Sequence, residues 1–401
     1  MERYDAVVVG GGVSGAAFAW HCARAGKSVL LVEREPRLGG CLHSRRTASG
    51  FWFELGAHTC YNSYGGFIEL LEGAGLKGHL LPRAKVPFAL LKEGRLHPLT
   101  PGGVLKLLDL WELARSLPAA FTARKDGQTM YGYYSRLFGR RNYDRVMGPL
   151  FSAVPSQSAD PIPADMLFKK RPRRKDVLRS FTVDGGLQTV VEAVANAPGI
   201  SLAEGAAARS VERTADGYAV ITEDGRRFEA GVLAVATPPS SAAALLREVA
   251  PELASRLAGV KVSGIETVGV VVEAARLKLP PVAGIVPIDD AFFSAVTRDT
   301  VPDPRLRAFA FHFRPGGLPL ERKLARIAEV LGVAREDLSE VTEAKAVMPS
   351  PVLGHDQVVA ELDRLLAGGK LALLGNYFGG LAIEDCVARS KEEFARVAGG
   401  K

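Results

Sequence analysis

The chain is poor in cysteine. Four residues, Cys22, Cys41, Cys60 and Cys386, occur among 401. None forms a C-x-x-C pair and their spacing fits no zinc pattern, so a disulfide framework or zinc site is not expected and the thiols suit a reducing compartment. No run of about 18 apolar residues is present, so no membrane-spanning helix is expected. The N-terminus lacks a basic region followed by an apolar core and a small-residue cleavage site, so no secretory leader is expected. No Ser/His/Asp arrangement and no metal-spaced cluster stands out, which argues against triad hydrolysis and against a metal centre. Charge of one sign is not in large excess. There are 51 basic and 44 acidic residues, a net charge of +7. That balance allows an anionic partner without demanding one, and no nucleic-acid partner is expected.

What is present is an ordinary globular mix, 47% apolar and 24% charged. The length suggests two or three domains at roughly 150 residues each. Such a chain can bury a sizeable core unaided.

The first fifty residues carry the clearest signal. Tyr4 to Val9 ends in the run Ala-Val-Val-Val and reads as a buried strand. A helix is expected from about Ser14 to Ala25, and a second apolar strand from Ser28 to Val32. Gly10, Gly12 and Gly15 spell G-x-G-x-x-G between strand and helix, and Glu33 closes the second strand 23 positions after Gly10. In that context the pattern is a dinucleotide-binding βαβ unit. Gly10 permits the tight turn, Gly12 lets the backbone approach a pyrophosphate, and Gly15 lets helix and strand pack closely. The helix start, Val13 and Ser14 included, offers free N–H groups to phosphate oxygens. Glu33 can accept hydrogen bonds from ribose hydroxyls and disfavours a 2′-phosphate.

The next residues, Glu33-Arg34-Glu35-Pro36-Arg37-Leu38-Gly39-Gly40, supply a second glycine pair. Here the chain resembles the flavin amine oxidase superfamily, in which E-x-x-x-R-x-G-G follows the first βαβ unit. The resemblance implies non-covalent FAD, with Arg34, Gly39 and Gly40 beside the nucleotide. It implies that Phe51 to His58 passes the isoalloxazine ring, with Gly56, Ala57 and His58 in contact. It also places Ala208 beside adenine. Toward the C-terminus, Pro349 to His355, the pair Gly375-Asn376 and the run Gly379 to Val387 resemble the protoporphyrinogen oxidase branch, with Pro351 where that branch has Tyr. In that likeness Gly375, Asn376 and Ile383, opening the last helix, face the flavin. The implied fold is α/β, a Rossmann-like FAD-binding domain of glutathione-reductase type, with a discontinuous α+β substrate domain and a helical insertion. The ranges expected are 1–83, 180–240 and 352–401 for FAD, 84–100 and 241–351 for substrate, and 101–179 for the insertion, which could face a membrane.

Between these motifs the pattern is plainer. Lys92-Glu93-Gly94-Arg95 reads as a hairpin turn. Pro101 to about Met147 reads as helical, with Leu105, Leu110, Trp111 and Leu117 on amphipathic faces. Three short strands are expected near 200–203, 218–222 and 227–233. Lys169 to Lys175 holds six basic residues in seven. A solvated loop is the plain reading, an anionic membrane surface or a carboxylate dock the functional ones.

The resemblance implies a flavoenzyme that takes hydride from a carbon of a large apolar substrate, of the porphyrinogen class, onto flavin N5. Molecular oxygen or another acceptor would reoxidise it. No residue in these motifs marks itself as catalytic. The chain is expected in the cytoplasm, with weak peripheral membrane contact. Three other readings stay open: a flavin amine oxidase or desaturase, a nucleotide-sugar flavin mutase, and a non-enzymatic prenyl-binding escort protein.

Overall fold

The computed structural model of the protein describes residues 2–399. Residues 1, 400 and 401, at the ends of the expected ranges, lie outside it. Two seven-stranded sheets dominate.

The first sheet runs in the order Ile200–Ala203, Val29–Val32, Glu2–Val9, Arg227–Val235, Gly217–Thr222 and Ala208–Thr214. Its first four strands are parallel. Arg227–Val235 is long enough to serve two neighbours on one side. Its first half pairs antiparallel with Gly217–Thr222, and its second half pairs parallel with Leu371–Leu373. Parallel strands are covered on both faces and so read as unbroken apolar runs. One face is covered by Val13–Arg24, Gly65–Gly73, Gln188–Ala195 and Ile383–Gly399. The other is covered by Pro239–Leu246, Pro251–Ala258 and His355–Leu366. Pro251–Ala258 and most of Pro239–Leu246 fall in the range 241–351 given to the substrate domain, and Ala242, Leu246, Leu253 and Leu257 pack on the first sheet.

The strand Ala208–Thr214 was not expected. It lies at the sheet edge with Val211 as its one buried residue. Charged side chains on such an edge blunt pairing with other chains, and they also hide the strand from a hydrophobicity pattern.

The second sheet has the order Ser339–Pro349, Val262–Glu273, Leu306–Phe313, Phe292–Thr297, Gly284–Pro287, Phe88–Lys92 and Arg95–Leu99. Its two faces divide by the strand period of two. Val268, Val270, Val272, Phe309, Phe311 and Phe313 pack against the helix Leu320–Leu331. Val271, Ala308 and Ala310 meet Phe51, Phe53 and Leu55. The fit there is tight: a Cβ on Gly269 would lie 2.4 Å from Leu55 and 2.6 Å from Phe53.

The stretch read as helical from Pro101 to Met147 is a chain of short helices. Thr100, Asp109 and Thr129 each cap a new helix by accepting from the backbone N–H three residues on. Met130 joins a small core with Ala159, Ile162 and Ala164, whereas the apolar residues of the first part, up to Thr122, form no core face. Leu110, Trp111 and Phe121 are 58%, 72% and 89% exposed.

Candidate functional site

The parallel strands of the first sheet all end on one side, where an open α/β sheet binds its ligand. Gly10 turns the chain there with φ +112°. A Cβ on Gly10 would lie 2.7 Å from the carbonyl oxygen of Ala236, and one on Gly15 would lie 1.9 Å from that of Gly10. Both positions are closed by packing. Gly12 differs: nothing lies within 3.9 Å of where its Cβ would be. The helix it opens has no side-chain cap and no acid in its first turn. Val13 and Ser14 therefore begin a helix whose first N–H groups stay available to an anion.

The second glycine pair is brought against the first. Gly39 N–H donates to the carbonyl of Gly11 at 2.8 Å, Gly12 and Gly39 form an isolated parallel bridge, and a Cβ on Gly40 would sit 3.2 Å from the Cα of Gly12. Arg37 holds the turn by donating to the carbonyls of Leu38 and Gly40. Arg34 is exposed beside Glu35.

Glu33 is more constrained than a free ribose ligand. One carboxylate oxygen accepts from Gly11 N–H at 2.6 Å and the other from Glu35 N–H at 2.8 Å. Each oxygen keeps a second lone pair for a sugar hydroxyl. Backbone bonds from Glu33 N–H to Ala203 and from Ala206 N–H to Glu33 draw the following loop alongside. Ala208 starts the edge strand just beyond it and pairs with Thr222.

The remaining candidates come together from distant parts of the chain. Gly56 packs on Cys41, whose carbonyl accepts from Ala57 N–H at 3.1 Å. The Cys41 thiol and the Asn376 amide donate to the same atom, Met348 Sδ, at 3.6 and 3.7 Å. Gly375 takes φ +141°. Ile383 is buried at the start of the last helix, which is tied to the first by Ser390 Oγ–H donating to the Ser14 carbonyl at 2.8 Å. His355, quoted in the sequence only as part of a motif, lies with Nε2 2.7 Å from the carbonyl oxygen of Tyr377. It anchors the loop that follows Asn376.

His58 belongs to a cluster that sequence reading did not assemble. His312 stands on the same sheet face as Ala308 and Ala310, with Nδ1 2.9 Å from Thr267 Oγ1. Burial holds its pKa down to about 4. Burial, with Arg83 and His312 nearby, holds that of His58 down to about 3. Glu54 goes the other way. Burial raises it to about 7, although Leu187 N–H and Ser44 Oγ–H donate to it at 2.8 and 2.7 Å. Arg83 donates to the His58 carbonyl at 2.5 Å. Only alternation along a strand could have placed His312 on this face, and its partners come from three other segments.

The basic run is half solvated. Lys169 donates to the Gly379 carbonyl, Arg171 pairs with Asp385 at 2.7 Å, and Arg174 grips Glu72 with two bonds of 2.8 Å. Lys170, Arg173 and Lys175 are exposed. The plain loop reading is thus corrected for the first three, which clamp the run to the last helix and to Gly65–Gly73. Cys386 is buried, and burial raises its thiol to about 12, so it is an inert packing group. Among the described residues no cluster suited to a metal occurs.

The family model for flavin containing amine oxidoreductases matches residues 13–274. Coproporphyrinogen III oxidase of Propionibacterium freudenreichii subsp. freudenreichii is 22% identical, over 96% of this chain and 89% of that protein. All-trans-retinol 13,14-reductase of Danio rerio is 47% identical over 57 residues, so the chain matches 14% of itself to only 9% of that relative. A crystal structure from Exiguobacterium sp. 255-15, provisionally described as a protoporphyrinogen oxidase, superposes with a TM-score of 0.80 over 100% of this chain and 99% of that one, at 19% identity.

Proposed function

This chain belongs to the flavin containing amine oxidoreductase family, and from that premise we propose that it is an FAD-dependent oxidase of porphyrinogen-class substrates. The observation that carries the reading is the open cradle at Gly12, with the Gly39-Gly40 turn hydrogen-bonded onto it. Glycine without a Cβ, an uncapped helix start and a fixed acid fit the pyrophosphate and ribose of FAD. The thiol next to this cradle, that of Cys41, is turned to Met348 Sδ at 3.6 Å, and the reading takes FAD as held non-covalently. Likeness over nearly the full length to a coproporphyrinogen oxidase supports the substrate class.

Bound FAD would supply the hydride acceptor at N5. The chain's own residues would align the substrate. When a substrate carbon has given up hydride, an adjoining pyrrole N–H must release a proton. That proton passes to solvent, because burial holds His312 and His58 neutral and makes them poor acceptors at physiological pH. Alignment accounts for most of the remaining acceleration, since the carbon is already activated by its flanking pyrroles.

Molecular oxygen or another acceptor would reoxidise bound FAD. No described helix is long and apolar enough to cross a membrane. A cytoplasmic location is proposed, and the exposed apolar helices after Pro101 support weak peripheral contact with anionic lipid. The test is anaerobic flavin reduction. Coproporphyrinogen or protoporphyrinogen should bleach the flavin faster than polyamines or aromatic amines. Bleaching by amines alone would replace this reading with a flavin amine oxidase.

A further inference from the structure

A narrow pocket lies between the strand Trp52–Glu54 and the second sheet. Arg83, Arg298, Glu54, His58 and Thr182 are among its walls. Its two guanidinium groups are unusual. Among the described residues neither Arg83 nor Arg298 forms an ion pair. Arg307, on the same sheet, shows the ordinary arrangement: it is buried and gripped by Asp299 at 2.8 and 2.5 Å. Arg298 instead donates Nε–H to the Trp52 carbonyl at 2.8 Å and lies over the Trp52 and Phe51 rings. Its Nη1 is buried with no partner. Thr182, 2% exposed, has a hydroxyl that is likewise buried and unpartnered.

Both guanidinium groups are half-buried and no carboxylate bonds them directly, which is unfavourable, and each buried orphaned donor adds to the cost. The one carboxyl among the walls, Glu54, is already bonded to Ser44 and Leu187. Its lone pairs and charge are therefore largely spoken for. We propose that this pocket binds a compact monovalent anion, a free ion of chloride size or a carboxylate group, between Arg83, Arg298 and the Thr182 hydroxyl. The planar fork of Arg298 suits a carboxylate. The narrowness of the space excludes a ring or a diphosphate. The inference rests on these side chains alone and stands whatever substrate the flavin site takes.

The experiment uses the purified holoprotein. Sodium gluconate, too large for the pocket, is replaced stepwise by sodium chloride or sodium formate at constant ionic strength. Melting temperature and tryptophan fluorescence are followed, with Trp52→Phe identifying the signal of the pocket. Both readouts should change and saturate, as binding to the folded state alone requires. Arg298→Gln should abolish the saturable change, and the near-isosteric Thr182→Val should raise the half-saturating concentration several-fold while leaving the fold intact. A competition arm names the source. If formate slows flavin reduction by the substrate competitively, the carboxylate is carried by the substrate. If it binds without competing, the site takes a free ion. No saturable response in the wild-type protein, as water-filled space would give, overturns the proposal. So does an unchanged half-saturation in Thr182→Val.

Discussion

The amide of Gly39 donates to the carbonyl of Gly11 at 2.8 Å, and this one bond sets the second glycine pair against the first. It leaves Gly12 and Gly40 back to back, a Cβ on Gly40 reaching within 3.2 Å of the Gly12 Cα. Two short motifs distant in sequence thereby build one concave backbone surface at the head of a helix.

Gly12 and Gly15 should fail differently when given side chains. A Cβ at Gly12 would stand at ordinary contact distance, 3.9 Å from the Gly40 Cα, so Gly12→Val should fold with a melting temperature near that of the apoprotein. It should lose flavin, with the 450 nm to 280 nm absorbance ratio falling to below about a tenth of wild type. Gly15→Ala collides with the Gly10 carbonyl. It should destabilise the apoprotein itself by roughly 1–3 kcal/mol. Equal loss of stability in both variants would mean that Gly12 serves packing rather than a ligand.

Glu54 and His312 give opposite pH dependences. The carboxyl of Glu54 is raised to about 7 in the fold, so the folded state holds a proton that the unfolded chain has released. Its contribution is present in full below the unfolded value of about 4.3 and is lost as pH rises through 7. Glu54→Gln should therefore gain on wild type between pH 5 and pH 8, by about 1–3 kcal/mol in chemical denaturation. The imidazole of His312 is held down to about 4, so the unfolded chain binds the extra proton. That stability is present above pH 6.5 and is lost as pH falls toward 4. His312→Gln should soften the acid side of the profile. Differences from wild type that stay flat with pH would remove the burial assigned to either group.

His355 should matter for stability more than its exposed neighbours do. His355→Leu leaves the Tyr377 carbonyl without its donor at a buried position. A loss of about 1–3 kcal/mol is expected, read by urea denaturation. Asp356→Ala, on the exposed side of the same helix, serves as the control and should change little.

The exposed apolar helices and the basic run divide the membrane question. Trp111→Glu with Phe121→Glu should release the protein from vesicles containing anionic lipid. Neutralising Lys170, Arg173 and Lys175 should weaken binding by about 1 kcal/mol per charge at low salt. Arg171→Gln should instead destabilise the protein, since its partner is Asp385 at 2.7 Å. Equal binding to neutral and anionic vesicles would leave those three side chains as plain solvated charges.

Legibility varied along the chain for physical reasons. The βαβ unit was plain because apolar strands, glycine turns and an acid lie within one short stretch. The second sheet was vaguer: its register depends on which residues face Phe53 and Leu55, and nothing local to His312 or Arg298 says that they do. Ala208–Thr214 escaped because an edge strand rich in charge lacks the apolar alternation that marks a half-buried one. The basic run looked uniform, yet only pairing with Glu72 and Asp385, distant in sequence, separates Arg171 and Arg174 from Arg173. The locking of Glu33 by Gly11 and Glu35 was equally invisible, because it depends on the turn geometry of both glycine segments.

The glycine cradle is proposed to hold FAD without a covalent bond. The most direct measurement is denaturation of the purified holoprotein by acid or heat, followed by mass analysis of what is released. The account predicts a yellow supernatant containing a species with the mass of FAD, near one per chain, and a colourless precipitate. A colourless supernatant with flavin retained on the precipitated chain, or a protein that carries no flavin at all, would contradict it.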